Sequence, residues 1–226
     1  MNVGIIGGGQ LARMLVLAGY PLGLHFQILD PALDACAGQV ATLIPGDYDD
    51  VARLEALANW ADVVTFDFEN VPATAARLLE QRVSVYPSAR SLATAQDRVA
   101  EKTLFWELGI PISSFATVDN QEELQDAVAR VKLPAVLKTR QMGYDGKGQQ
   151  IVRTPEAVDS AWQALGGVPL ILEGFVPFER EVSVLAVRSR HGETAFYPLA
   201  ENHHCDGILR VSRAPMVLRQ WIKRGF

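Results

Sequence analysis

The stretch Met1-Asn2-Val3-Gly4-Ile5-Ile6-Gly7-Gly8-Gly9-Gln10-Leu11-Ala12-Arg13-Met14-Leu15 opens the chain, and its reading decides the fold of the first hundred residues. Val3 to Ile6 reads as a short apolar strand. Gly7 to Ala12 fits the spacing Gly-x-Gly-x-x-Gly/Ala, and an apolar helix comes next. Asp30 closes the following strand pattern, His25 to Leu29, about 20 residues beyond the glycines, where a dinucleotide enzyme holds its ribose hydroxyls. Taken alone, these features describe an NAD-dependent dehydrogenase. The rest of the chain redirects that reading.

Strand and helix patterns go on alternating through the first hundred residues. Val63 to Phe66 and Val83 to Tyr86 read as strands, and Leu11 to Leu22, Asp49 to Trp60 and Ala73 to Gln81 read as helices. This order predicts a parallel sheet covered on both faces, with ligands gathering at the carboxyl ends of its strands. Ser88 reads as the cap of one helix running to Leu108, stopped by Gly109-Ile110-Pro111.

Beyond Pro111 the rhythm changes to a smaller α/β unit. Phe115 to Val118 is a strand, Asn120 caps a helix from Gln121 to Val131, and Ala135 to Thr139 and Gln149 to Val152 are strands. Thr154 reads as a helix cap with Pro155 at the first helical position. From Leu170 onward a further sheet is expected, with strands Leu170 to Glu173, Glu181 to Val187, Thr194 to Tyr197 and Ile208 to Ser212.

The 226 residues are 49% apolar and 21% charged, the balance of a globular protein with a real core. A net charge of −5 argues against a nucleic-acid surface, which needs clustered cations to displace counterions. A small polyanion needs only a few local positive groups. No apolar run approaches the ~20 residues of a membrane span and no signal segment opens the chain, so a cytoplasmic location and no membrane partner are expected. Cys36 and Cys205 are isolated thiols, which suits a reducing compartment. His203, His204 and Cys205 are adjacent and cannot all face one ion, so no metal site is expected there.

The run Leu137-Lys138-Thr139-Arg140-Gln141-Met142-Gly143-Tyr144-Asp145-Gly146-Lys147-Gly148-Gln149 carries most of the chemistry. A lysine ends an apolar strand, and a loop with three glycines and two more cations follows. Glycines let backbone N–H groups approach an anion, and a lysine fixed at a strand end sits against a phosphate as a point charge. The Gly-Lys-Ser/Thr order of a Walker loop is missing. Glu173 and Glu181 stand at strand ends, where acids accept hydrogen bonds from ribose hydroxyls or an adenine amino group. Arg98 follows Asp97 and alone passes as a surface cation paired with it. His204 lies in a polar loop between two strands, available for phosphate or proton chemistry.

At these residues the chain resembles the ATP-grasp enzymes, and among them the 5-(carboxyamino)imidazole ribonucleotide synthase family of purine biosynthesis. The resemblance is carried by Gly7-Gly8-Gly9-Gln10-Leu11, Phe68-Glu69-Asn70-Val71-Pro72, Gln96-Asp97-Arg98, Met142 to Gln149, and Phe196-Tyr197-Pro198-Leu199 through Asn202 to Asp206-Gly207-Ile208-Leu209-Arg210. It implies an α/β chain in three parts. A Rossmann-like N-terminal (pre-ATP-grasp) domain with a parallel sheet spans 1–100. A small α+β ATP-grasp subdomain with a Gly-rich flap spans 101–172. An incomplete C-terminal ATP-grasp sheet spans 173–226, with an atypical tail at 216–226.

The resemblance also implies a reaction. ATP would phosphorylate bicarbonate to carboxyphosphate, and the exocyclic amine of aminoimidazole ribonucleotide would capture the carboxyl group. Arg98 and Lys138 would contact ATP phosphates, and Met142, Gly143, Tyr144, Asp145, Gly146, Lys147 and Gly148 would fold over them. Glu173, Gly174, Phe175 and Val176 would hold the adenine edge, Glu181 the ribose, and His204 would lie beside the nucleotide. Tyr144 and Asp145 would face the aminoimidazole, making them catalytic candidates with Lys138. Gly8, Gly9 and Gln10 would line the ribonucleotide's side, leaving Asp30 without a role. The implied cofactors are ATP and Mg²⁺, and a homodimer is implied.

The chain departs from the family pattern at three places. Ala12 stands where glycine is usual, Cys205 where a polar residue is commoner, and the resemblance ends near Pro215. Met216 to Phe226 reads as a shifted frame or foreign tail, and the family's acidic Mg²⁺ ligands are expected beyond it, so impaired catalysis is expected. The alternatives are a non-catalytic remnant that only binds nucleotide, or another ATP-grasp ligase such as a formate-using transformylase or a biotin carboxylase. Gly143 to Gly148 speaks against the last.

Overall fold

A computed structural model describes residues 1–143, 147–205 and 207–216. The chain divides into two compact units: residues 1–112 with 140–142, and residues 113–139 with 143–226.

The first unit is built on strands β1 (Asn2–Ile6), β2 (His25–Asp30), β3 (Thr42–Pro45), β4 (Val63–Phe66) and β5 (Ser84–Val85), all parallel in the order β3-β2-β1-β4-β5. Helices α1 (Gln10–Gly19), α2 (Val51–Trp60) and α3 (Ala73–Glu80) are its crossovers. Alternation along the central strand shows the two-sided burial. Ile5 packs into one core with Val16 and Ile28, while Ile6 packs into another with Leu29, Leu57 and Leu79. A parallel sheet filled on both faces needs apolar residues at consecutive positions, and Ile5-Ile6 and Ile28-Leu29 supply them, all fully buried. The parallel sheet expected from the sequence is therefore present.

Strand β3 was not expected. It is a short run ending in proline, and proline is tolerated there because β3 lies at the sheet edge. The single helix expected from Ser88 to Leu108 is two: α4 (Ala89–Gln96), capped by the Ser88 hydroxyl, and α5 (Arg98–Glu107). Asp97 between them is extended, and its carboxylate caps α5 by accepting from the amides of Val99 and Ala100 at 2.9 and 3.2 Å. A capping aspartate favours a new helix start over a continued one.

The second unit holds an antiparallel sheet of β6 (Phe115–Val118), β7 (Ala135–Thr139), β8 (Gln149–Val152) and β9 (Leu170–Gly174), in the order β6-β9-β7-β8. Helices α6 (Gln121–Val131) and α7 (Ala157–Leu165) close its core through Leu124, Ala127, Val158 and Ala161, packed with Leu137 and Leu172. Asn120 caps α6 as expected. Helix α7 starts later than expected, with Thr154 and Pro155 in a preceding turn whose carbonyls accept from Ala157 and Val158.

Leu170 does not open a new sheet. Strand β9 lies in the middle of the second one, because its apolar run is needed between β6 and β7. The remaining strands form a three-stranded sheet, β10 (Glu181–Ser183), β13 (Ala200–Cys205) and β14 (Ile208–Arg213), and a two-stranded ribbon, β11 (Ala186–Arg188) with β12 (Thr194–Phe196). The single strand expected at Glu181 to Val187 is thus split in two. The polar segment Glu201 to Cys205, read as loop, is strand β13. Its polar side chains suit a strand whose faces are not both buried.

Candidate active site

In the second unit, register explains how the site residues meet. Val136 lies opposite Glu173 and Lys138 opposite Ile171, so Lys138 and Glu173 share one face of the sheet as diagonal neighbours. Leu137 and Leu172 point the other way into the core. Lys138 Nζ lies 2.9 Å from Glu173 Oε2. Glu173 is buried, and a buried carboxylate needs such a cation beside it. The Glu173 side chain is thereby directed at Lys138 rather than standing as a solvated strand end.

The root of the glycine loop is closed by the Thr139 N–H, which donates to the Gly148 carbonyl at 2.8 Å. Gly148 has φ +69°, and a side chain there would meet the Thr139 hydroxyl. Met142 is exposed with positive φ, Gly143 is half-buried and Lys147 is exposed. Tyr144, Asp145 and Gly146, expected to face phosphate and substrate, lie outside the described residues, as does Asp206.

Past β9, the Gly174 N–H donates to the Ser114 carbonyl and the Phe175 N–H to the Pro134 carbonyl, which fixes the strand's exit. The Arg153 guanidinium stacks 5.6 Å over the Phe175 ring, and Val176 is exposed. Glu181 and His204 come together on β10 and β13, with Nδ1 3.3 Å from Oε1. Glu181 is opposite Asn202, so His204 is its diagonal neighbour on the same face.

In the first unit, Arg98 opens α5, and its N–H donates to the Arg140 carbonyl at 3.1 Å. The partner of Asp97 is Arg140 rather than Arg98. Arg140 Nη2 lies 2.7 Å and Nε 3.1 Å from Asp97 Oδ2, a forked pairing. Burial alone pushes the Asp97 carboxyl up. The hydrogen bond from Arg140, the amides of Ala100 and Val99 and the guanidinium charge outweigh burial and hold the group below its ordinary value. The sequence landmarks around it also converge: the Gln96 side chain donates to the carbonyls of Glu69 and Val71 at 2.7 and 2.5 Å.

The glycine turn differs from a phosphate cradle. Gly7 has φ +97°, and its N–H donates to the Leu29 carbonyl. The Gly8 N–H donates to Asp30 Oδ2 at 2.7 Å and the Gly9 N–H to Asp67 Oδ2 at 2.9 Å. Asp30, without a role in the sequence reading, is buried beside Tyr48, whose hydroxyl donates to Oδ2 at 2.8 Å. Burial, then the hydrogen bond and charge of Asp30, then the charge of Asp67 push the Tyr48 hydroxyl up, so it stays protonated. Asp67 was missed altogether. The available signal was an acid one residue past a strand adjacent to β1, mirroring Asp30 at the end of β2.

Residues 103–224 match the ATP-grasp domain model and residues 1–96 the ribonucleotide synthetase preATP-grasp domain model. The chain belongs to the ATP-grasp family. An N5-carboxyaminoimidazole ribonucleotide synthase of Pseudomonas aeruginosa is 56% identical over 95% of this chain and 59% of its own length. The crystal structure of N5-carboxyaminoimidazole ribonucleotide synthetase from Thermus thermophilus has a TM-score of 0.87 at 57% identity, covering 94% of this chain and 57% of that one. An Aspergillus clavatus N5-carboxyaminoimidazole synthase solved with ADP and 5-aminoimidazole ribonucleotide has a TM-score of 0.86 at 27% identity, covering 96% and 57%. This ATP-grasp chain therefore spans less than two thirds of the length of these relatives.

Among the described residues, no three of His, Cys, Asp and Glu gather into a cluster that could hold a metal ion. No helix among the described residues is long and apolar enough to cross a membrane.

Proposed function

We propose that this chain binds ATP and 5-aminoimidazole ribonucleotide for ATP-dependent carboxylation by bicarbonate, giving N5-carboxyaminoimidazole ribonucleotide in purine biosynthesis. The observation that carries this reading is the match of nearly the whole chain, in one order, to synthases of that product, with both its ATP-grasp and its ribonucleotide-side domains represented. The γ-phosphoryl group passes to a bicarbonate oxygen, giving carboxyphosphate and ADP. The exocyclic amine then forms the new C–N bond at the carboxyl carbon, phosphate leaves, and the amine loses a proton.

The chain's residues supply positioning and charge. Phosphoryl transfer asks mainly for these, because there is little covalent chemistry for the protein to do. Lys138 holds a phosphate oxygen, oriented by Glu173. Arg98 adds a second cation, and the loop from Met142 to Gly148 covers the phosphates. Carboxyphosphate hydrolyses readily, which gives a cover that excludes water a use. Phe175 and Val176 line the adenine edge, Glu181 takes the ribose hydroxyls, and His204 is oriented through Nδ1 by Glu181. Tyr144 and Asp145 face the aminoimidazole. These roles rest on the family resemblance, for Tyr144 and Asp145 on it alone, and for Lys138, Glu173, Arg98, Phe175, Glu181 and His204 also on the neighbours that each has in its own unit.

Calorimetric titration with ATP and with aminoimidazole ribonucleotide, followed by measurement of ADP release with and without bicarbonate, tests the reading. Binding of both ligands and release of ADP only when bicarbonate and the ribonucleotide are both present is the expected result. ATP binding with no affinity for the ribonucleotide overturns the substrate and leaves a nucleotide-binding protein of another kind.

A further inference from the structure

The three glycines at positions 7, 8 and 9 sit where a dinucleotide-binding turn offers amides to a pyrophosphate, and here every one of those amides is spent inside the fold. Gly7 donates to the Leu29 carbonyl at 2.9 Å, Gly8 to Asp30 at 2.7 Å and Gly9 to Asp67 at 2.9 Å. The other oxygen of Asp67 accepts from the Ala12 N–H, in the first turn of α1, at 2.5 Å. Gly9 is the N-cap residue of α1 and has no side chain with which to cap it. Asp67 performs that task from the end of β4.

We propose that Asp67, supported by Asp30, is a specificity-determining residue of this turn: a built-in carboxylate fills the position of a bound anion, so the turn shapes the ribonucleotide's side of the site and takes no phosphate. The proposal rests on the reading that this unit receives aminoimidazole ribonucleotide.

Two further observations support it. Gly9 is needed to admit a carboxylate, because a Cβ there would collide with Asp67, while a Cβ on Gly8 would lie 2.7 Å from Ala35 Cβ and 3.2 Å from Asp30 Cβ. The charge is also of the wrong sign for a phosphate, which would meet Asp67 at the positive end of the α1 dipole and Asp30 beside the Gly8 amide. Tyr48 remains a donor to Asp30 and holds the second carboxylate in place. The same glycine spacing that builds a pyrophosphate site elsewhere therefore builds a closed turn here.

Asp67→Ala releases the amides of Gly9 and Ala12. In thermal unfolding, formate and inorganic phosphate are expected to raise the midpoint of this variant by several degrees more than that of the unsubstituted protein. Its affinity for aminoimidazole ribonucleotide is expected to fall tenfold or more with ATP affinity unchanged, and formate is expected to restore part of the loss. An equal anion response in the two proteins overturns the proposal. Asp67→Asn keeps the shape but has one oxygen for two amides, and serves if the alanine variant does not fold. A fivefold loss for the ribonucleotide alone is expected there, and unchanged affinity overturns the proposal. If the unsubstituted protein does not bind the ribonucleotide, the proposed substrate falls, and the formate comparison still decides the role of Asp67.

Discussion

At the scale of single residues, Lys138 and Glu173 form the ion pair that the proposed function places at the nucleotide's phosphates. The lysine stands out in the sequence as a cation that ends an apolar strand before a glycine loop. Its partner does not, because the two lie 35 positions apart and meet only once the register of β7 on β9 is fixed. Replacing Lys138 with methionine takes the Nζ contact away from a buried carboxylate. Lys138 keeps some contact with solvent, so the cost is discounted to about 1–3 kcal/mol of stability, below that of a fully buried pair. Glu173→Gln keeps an acceptor of the same shape and is expected to cost about 1 kcal/mol while loosening the lysine. Urea unfolding should rank the variants in that order. Calorimetry should show ATP affinity falling at least tenfold in Lys138→Met and less in Glu173→Gln. Unchanged ATP affinity in Lys138→Met would remove the lysine from the phosphate site.

At the scale of elements, Asp97 shows what a sequence pattern omits. The apolar spacing from Ser88 to Leu108 supports one helix, yet an aspartate that can cap and pair splits it into α4 and α5. The parallel sheet was legible because Ile5-Ile6 and Ile28-Leu29 are consecutive apolar pairs. Strand β13 was not, because a strand with polar side chains carries little hydrophobic signal. Asp30 and Asp67 escaped for a third reason: an acid that accepts backbone amides looks, in sequence, like any strand-end acid. The depressed carboxyl of Asp97 gives a prediction with a definite sign. A carboxylate held below its unfolded value, ordinarily about 3.9, contributes stability in full above that value and loses it as the pH falls through the folded one. Asp97→Asn should therefore be less stable than the unsubstituted protein at pH 7, by about 1–2 kcal/mol for a partly exposed cap and ion pair. The gap should narrow as the pH drops below about 4, in unfolding curves followed by circular dichroism. A gap independent of pH would mean that the Arg140 pairing contributes nothing.

At the scale of the molecule, apolar side chains are unevenly distributed. The two sheets of residues 2–85 and 115–174 bury theirs, with Leu29, Leu57, Leu137 and Leu172 fully enclosed. Among the described residues from 176 onward, most large apolar side chains are exposed, among them Phe178, Leu185, Val187 and Phe196, the last 69% exposed. Exposed apolar side chains, where they adjoin, bind hydrophobic probes and promote association, and a two-stranded ribbon such as β11 with β12 is marginal by itself. Leu185→Glu combined with Phe196→Glu carries the net charge further from zero and places charge on that ribbon. Because neither side chain is buried, the double variant should unfold in urea within about 0.5 kcal/mol of the parent. It should also bind less anilinonaphthalene sulfonate under native conditions and begin to aggregate at a higher temperature. A loss of more than about 2 kcal/mol with unchanged probe binding would show instead that these side chains are packed in solution.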